Sequence, residues 1–158
     1  YDTGRTVHEA NVNAIATLLL DCGDKDGRHG YSRKGEAIIR NINPDIDPDA
    51  YGSSLRPDIA VFQGSILNSG ERIHVFRDGD ERRVLIVECK SDHMYNRSAE
   101  NQLRAYMNFA EFPAGLLLSQ RRASFFFQDM EDGWIHRGPE FSNISQHVLE
   151  IADIIREL

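Results

Sequence analysis

Hydrophobic and polar positions recur along this chain with two different periods, and the changes of period divide it into elements. In "TVHEANVNAIATLLLDCG", Val7, Ala10, Ala14 and Leu18, joined by Ile15 and Leu19, stand at helical spacing and stop at Gly23, which predicts a first helix. Thr6 followed three residues later by Glu9 has the form of a capping box and places the helix start at Thr6. "DCGDKDGRHGYS" then predicts a loop, "EAIIRNI" a short first strand, and "NPDIDPDAYGSS" a second loop. "LRPDIAVFQ" predicts a strand with Pro57 at its entry, where the missing N–H is tolerated. "RIHVFRDGDERRVLIVECK" places two strand-like runs around the hairpin signal Asp78-Gly79. From about Ser98 to Phe112 the period is helical, with Leu103, Tyr106, Met107 and Ala110 on one face, ended by Pro113 and Gly115. "GLLLS", "ASFFFQD" and "WIHR" predict further strands, and "SNISQHVLEIADIIREL" a closing amphipathic helix.

Helix, strands, helix, strands, helix is the order of an α/β layer. The sheet is expected to be central and mixed, flanked by helices: antiparallel through the hairpin, then parallel where the middle helix crosses over and returns. The 158 residues match the commonest single-domain size, so residues 1–158 are expected to form one domain. Hydrophobic content of 41% and charged content of 27% are ordinary globular values and exclude a fibrous or disordered class. No apolar run approaches a membrane span and no signal peptide precedes the first helix, so a soluble, cytoplasmic protein with no membrane partner is expected. Two cysteines, Cys22 and Cys89, cannot supply a four-thiolate zinc or iron–sulfur site and are expected to be reduced.

A net charge of −7 opposes a protein held on nucleic acid by bulk positive potential. Any such contact must be local. Arginines do cluster, at Arg82-Arg83, at Arg97 with Arg104, and at Arg121-Arg122. Lysine is scarce: Lys25, Lys34 and Lys90 against fifteen arginines.

That scarcity draws attention to "RVLIVECKSD", where Lys90 ends an apolar strand. Strand alternation puts Val84, Ile86, Glu88 and Lys90 on one face and Leu85, Val87 and Cys89 on the other. Both faces are apolar until the end, as in a central strand covered on both sides. A carboxylate and an ammonium are thus delivered side by side where the interior meets solvent. Asp58, opening an earlier strand, could lie across the sheet from Glu88. Two converging carboxylates repel each other unless a cation lies between them, and hard oxygen ligands of this kind suit Mg²⁺ or Mn²⁺. The backbone carbonyl of Cys89 could add a ligand. Lys90 could position a water and stabilise charge developing on phosphorus, a task for which a compact ammonium suits better than a guanidinium. The bland alternative for Glu-x-Lys is a strand-end salt bridge.

"PD" at Pro57-Asp58 and "ECK" at Glu88-Cys89-Lys90 together resemble the PD-(D/E)xK nuclease superfamily. "ENQLRAYM" carries Gln102 and Tyr106 four residues apart on one helical face, similar to the Q-x-x-x-Y element of RecB-like members, and especially to the N-terminal nuclease domain of type I restriction enzyme R subunits. The resemblance spans residues 5 to about 127. It implies a restriction-endonuclease-like core, αβββαβ with extra strands and a C-terminal helix, and Mg²⁺- or Mn²⁺-dependent cleavage of DNA. Asp58 and Glu88 would bind metal, Lys90 would orient or activate water, and Gln102 and Tyr106 would hold substrate backbone or support the site. Helicase motor and specificity subunits of a restriction complex are the implied partners.

Many members add a carboxylate from the first helix, and Glu9 is the candidate here, with capping of that helix as its competing role. Glu36 is a weaker rival; His8 and His93 are left out. "DIDPDAYG" begins like a calcium loop, but Ala50 stands where the turn glycine belongs and Arg56 where the final glutamate belongs. Two other readings stand beside the restriction domain: a stand-alone resolvase or repair nuclease, and a non-catalytic binding or assembly module of the same fold.

Overall fold

Val84-Leu85-Ile86-Val87, four aliphatic residues without a polar break, need cover on both faces, and the fold supplies it. The computed structural model describes residues 2–23, 29–33, 39–40, 54–55, 58–63, 82–129 and 131–158, with side chains for 11–23, 58–61, 83–129 and 131–158. The aliphatic run lies in β5 (Arg82–Cys89). With β1 (His29–Arg33), β4 (Ile59–Gln63), β6 (Ala114–Leu118), β7 (Ala123–Gln128) and β8 (Ile135–Phe141) it forms a six-stranded sheet ordered β1-β4-β5-β6-β7-β8. A separate pair joins β2 (Ile39–Arg40) to β3 (Ser54–Leu55). The sheet is mixed: β5 and β6 are parallel and every other pairing in it is antiparallel.

The parallel pair exists because α2 (Arg97–Ala110) carries the chain back across the sheet. Asn96 caps this helix by accepting a hydrogen bond from the Ala99 N–H at 3.1 Å, and Glu111 ends it in the left-handed region at φ 58°. Its buried stripe, Ala99, Leu103, Met107 and Ala110, packs on Ala60, Ile86, Leu117 and Phe126. On the opposite face, α1 (Asp2–Gly23) and α3 (Val148–Glu157) cover Val61, Leu85, Val87, Leu116 and Phe125. These two helices approach so closely that a Cβ on Gly23 would lie 2.7 Å from Ile155 Cγ2. Among the described residues no helix is long and apolar enough to cross a membrane.

Several elements depart from the sequence expectation. α1 is already helical at Asp2, so Thr6 and Glu9 lie inside it and do not form its N-cap. Its buried stripe is Val12, Ala16, Leu19 and Leu20, while Leu18 is 65% exposed: three consecutive leucines carry no phase, and packing against α3 and β5 chose it. Residues 29–32, expected in a loop, belong to β1 and pair with β4. Val84 packs with Leu85 on the α1–α3 side, because a register irregularity opposite Val61 and Phe62 breaks strict alternation. β8 runs on through Gly138 and Pro139, which a sheet edge tolerates. The closing helix begins only at Val148, after a 3-10 turn at Ile144–Gln146. The expected strand arm before Asp78-Gly79, that turn itself, Pro57, Glu36 and all of the expected loop 43–54 except Ser54 lie outside the described residues; Ser54 pairs in β3.

Candidate active site

Antiparallel pairing of Ile59 with Val87 brings Asp58, at the entry of β4, beside Glu88, near the end of β5. Both carboxylates are buried, 8% and 4% exposed. The Cys89 N–H donates to Asp58 Oδ2 at 2.8 Å, and the Asp58 N–H lies 3.4 Å from Glu88 Oε1. Each acidic residue is therefore oriented by the backbone of the other's strand. Lys90 reaches the same point from beyond the strand end, its Nζ 3.9 Å from Glu88 Oε2 and its side chain 22% exposed. Its own N–H is tied to the Leu118 carbonyl at 2.9 Å, which holds the last residues of the motif against β6.

The electrostatics of this trio are unbalanced. Burial, and then the neighbouring charge of Asp58, push the Glu88 carboxyl up to about 8, and the ammonium of Lys90 offsets this only in part. Two carboxylates in one buried place, with one lysine at the edge of ion-pair distance, lack positive charge. The donors are hard oxygens, and a small divalent cation between them would restore the balance. Asp58 and Glu88 fit that role. Just beyond Lys90, Ser91 is 4% exposed, and its Oγ and Asp92 Oδ1 are buried without a hydrogen-bond partner among the described residues. The sequence reading passed over these two residues; a polar pair immediately after a buried strand was the available signal.

The chain matches no family model, and no curated protein matches its sequence. Among solved structures it is similar to the crystal structure of a candidate nuclease belonging to DUF820 from Anabaena variabilis, with a TM-score of 0.53 and 13% identity, over 95% of this chain and 80% of that one. The fold is restriction-endonuclease-like.

On this restriction-endonuclease-like core the other expected residues fall in different places. Gln102 and Tyr106 share one half-buried flank of α2, where Gln102 Nε2 donates to Tyr106 Oη at 3.0 Å and the tyrosine ring is partly buried against the α2 core. Glu9 lies within α1, outside the residues whose side chains are described. His93 is exposed. Of the arginine clusters, Arg83 donates to the Ala110 carbonyl and lies over Phe112, while Arg104 donates to the Ile135 carbonyl at 2.7 Å and lies over Phe126. Both are absorbed in packing α2 onto the sheet. Arg97 and Arg122 instead border a cleft of about 560 Å³ between the start of α2 and strands β6 to β8.

A second group able to hold a metal ion, Asp129, Asp132 and His136, is exposed and sits at the β7–β8 turn, the end of the sheet away from Glu88. Asp129 Oδ1 accepts the Glu131 N–H at 2.7 Å and Asp132 Oδ1 the Trp134 N–H at 2.7 Å, so these carboxylates also shape the turn.

Proposed function

We infer that this chain is a nuclease domain that hydrolyses DNA phosphodiester bonds with a divalent metal ion held by Asp58 and Glu88. The observation that carries the reading is the burial of these two carboxylates side by side, 8% and 4% exposed, with Lys90 Nζ 3.9 Å from Glu88. The description of the Anabaena protein as a candidate nuclease adds support. So does the sequence resemblance through Pro57-Asp58, Glu88-Cys89-Lys90 and Gln102 with Tyr106.

In this reading Asp58, Glu88 and the Cys89 carbonyl would hold Mg²⁺ or Mn²⁺, which when bound would make a water more acidic and offset charge at phosphorus. Lys90 orients the attacking water by hydrogen bonding and faces the negative charge that grows on the phosphoryl oxygens. Water's oxygen bonds to phosphorus and gives a proton to solvent as the ester P–O bond breaks, and the leaving strand's oxygen takes a proton from solvent. The rigid β5 strand supplies the positioning, since a misplaced lysine at this step loses most of its effect. Gln102 and Tyr106 lie on α2, whose start borders the same end of the sheet, and act on substrate backbone or support the helix.

The narrower proposal is the nuclease domain of a type I restriction R subunit. It rests on the Gln102 and Tyr106 element following the lysine motif, and on an acidic chain that would rely on motor and specificity partners for DNA affinity. Incubating the protein with plasmid DNA and Mg²⁺ or Mn²⁺ tests the general reading. Nicking or linearisation that disappears with chelator and in Asp58→Asn is expected. Absence of cleavage with either metal, together with no Mn²⁺ binding by calorimetry, would favour a non-catalytic assembly role instead.

A further inference from the structure

The sheet register connects the acidic pair to the cleft. Glu88 pairs with Leu117, Leu117 with Ser124, and Ser124 with Glu140, so one row crosses four strands on the face that carries α2. The last three residues of that row line the cleft. Its floor therefore begins one strand from Glu88 and is centred about 10 Å away, two strand spacings. A polymer whose backbone passes Glu88 and Lys90 would present its neighbouring unit to this cleft.

Three features describe what the cleft can take. Its volume of about 560 Å³ suits a ligand of nucleotide size. Its charge is locally positive at the mouth: Arg137 is held by Glu100 and Glu140, but Arg97 and Arg122 have no carboxylate partner among the described residues. Its wall offers stacking surface, because the Arg122 guanidinium lies 4.2 Å from the Tyr95 ring centroid and donates to the Tyr95 carbonyl at 3.1 Å. Tyr95 is in turn pinned by a hydrogen bond shared with Ser124 on the floor. A guanidinium held over one aromatic ring and tied to its backbone forms, with that ring, a surface on which a base can stack.

We propose that this cleft holds one unpaired nucleotide of the DNA strand whose backbone lies at Glu88 and Lys90, so that the domain prefers single-stranded or locally opened DNA. The inference rests on the nuclease reading above and adds strandedness to it. A base inside an intact duplex is stacked between neighbours and cannot enter a pocket of this kind without being extruded. Arg97 and Arg122 face the phosphates flanking that nucleotide, and the Tyr95–Arg122 wall takes its base.

The test measures binding by fluorescence anisotropy at low ionic strength, with Ca²⁺ in place of Mg²⁺ to prevent cutting. Labelled single-stranded and duplex oligonucleotides of equal length are compared, and the single strand is also made with one abasic position. The wild-type chain is expected to bind the single strand more tightly than the duplex. Arg122→Ala and Ser142→Trp, which fills the cleft from its exposed rim, should each weaken single-strand binding about tenfold, within the range of one lost base stack. The abasic position should weaken wild type similarly and leave Ser142→Trp unchanged. Absence of single-strand binding, equal losses for both DNA forms, or indifference to the abasic position would each overturn the proposal. Cleavage with Mn²⁺ is scored separately on wild type. Cutting without cleft dependence sinks the cleft alone, while cleft-dependent binding without cutting sinks the nuclease reading alone.

Discussion

Asp58 and Glu88 hold each other in place across neighbouring strands: the Cys89 N–H beside Glu88 donates to Asp58 Oδ2 at 2.8 Å, and the Asp58 N–H faces Glu88 Oε1 at 3.4 Å. The pair is preorganised by main-chain groups, which cannot turn away. Its cost is two buried carboxylates, and their mutual repulsion should be measurable in the protein without metal.

Burial and Asp58 push the Glu88 carboxyl up from 4.5 to about 8, so the folded chain binds that proton more tightly than the unfolded chain does. The resulting stability is fully present below pH 4.5 and is lost as pH rises toward about 8. In chelator, Glu88 should lower unfolding free energy by at most about 1.4 kcal/mol per pH unit across that window. Denaturant melts from pH 5 to 8 should show the decline, Mn²⁺ should reverse it, and Glu88→Gln should abolish both responses. A Glu88→Gln protein that keeps the full pH slope would exclude this origin.

The Lys90 side chain is only loosely held, with its Nζ 3.9 Å from Glu88 and 22% of it exposed. Lys90→Ala should unfold within about 1 kcal/mol of wild type, the scale of a partly solvated ion pair. Cleavage should nonetheless fall by about 100-fold or more. Lys90→Arg should not restore it, because a planar guanidinium cannot take the place of the ammonium on a single water. Full activity in the arginine variant would reduce Lys90 to a source of charge.

Gln102 and Tyr106 are coupled directly, by the 3.0 Å hydrogen bond from Gln102 Nε2. In a double-mutant cycle with Gln102→Ala and Tyr106→Phe, a stability coupling of about 0.5–1.5 kcal/mol is expected from that bond. If the pair serves the site as well, both variants should reduce cleavage by more than their loss of stability accounts for. Cleavage that simply tracks folded fraction would make the pair structural.

Gly23 faces α3 with no room for a side chain, since an added Cβ would lie 2.7 Å from Ile155 Cγ2 and 3.2 Å from the Ala152 carbonyl. Gly23→Val should force α1 and α3 apart and lower stability by about 1–3 kcal/mol, read from the denaturation midpoint. Mn²⁺ affinity of the folded protein should be unchanged, because α1 and α3 cover the opposite face of the sheet from Glu88.

Much of this architecture was legible in the residues. Val84 to Val87 announced a doubly covered strand through an unbroken apolar run, and Leu103, Tyr106, Met107 and Ala110 marked the inner side of α2, where Tyr106 is only partly buried. Where local pattern carried no phase, as at Leu18-Leu19-Leu20, it pointed to the wrong face. Where strand pairing was the only signal, as at residues 29–32 with their glycine and polar residues, it predicted a loop.

The sequence by itself determined the residue types of the candidate site: a strand with Glu88 near its end and Lys90 just past it, Asp58 before an earlier strand, and a helix with Gln102 and Tyr106. These follow from local order, which fixes which side chains share a face and which element each belongs to. Only the tertiary structure decided that Asp58 meets Glu88, that Arg83 and Arg104 serve packing while Arg97 and Arg122 border a cleft, and that this cleft shares a row with Glu88. The meeting of Asp58 with Glu88 and the shared row depend on the register between strands distant in the chain, where a one-residue slip would turn Glu88 to the other face. The arginine placements depend on how α2 docks on that sheet.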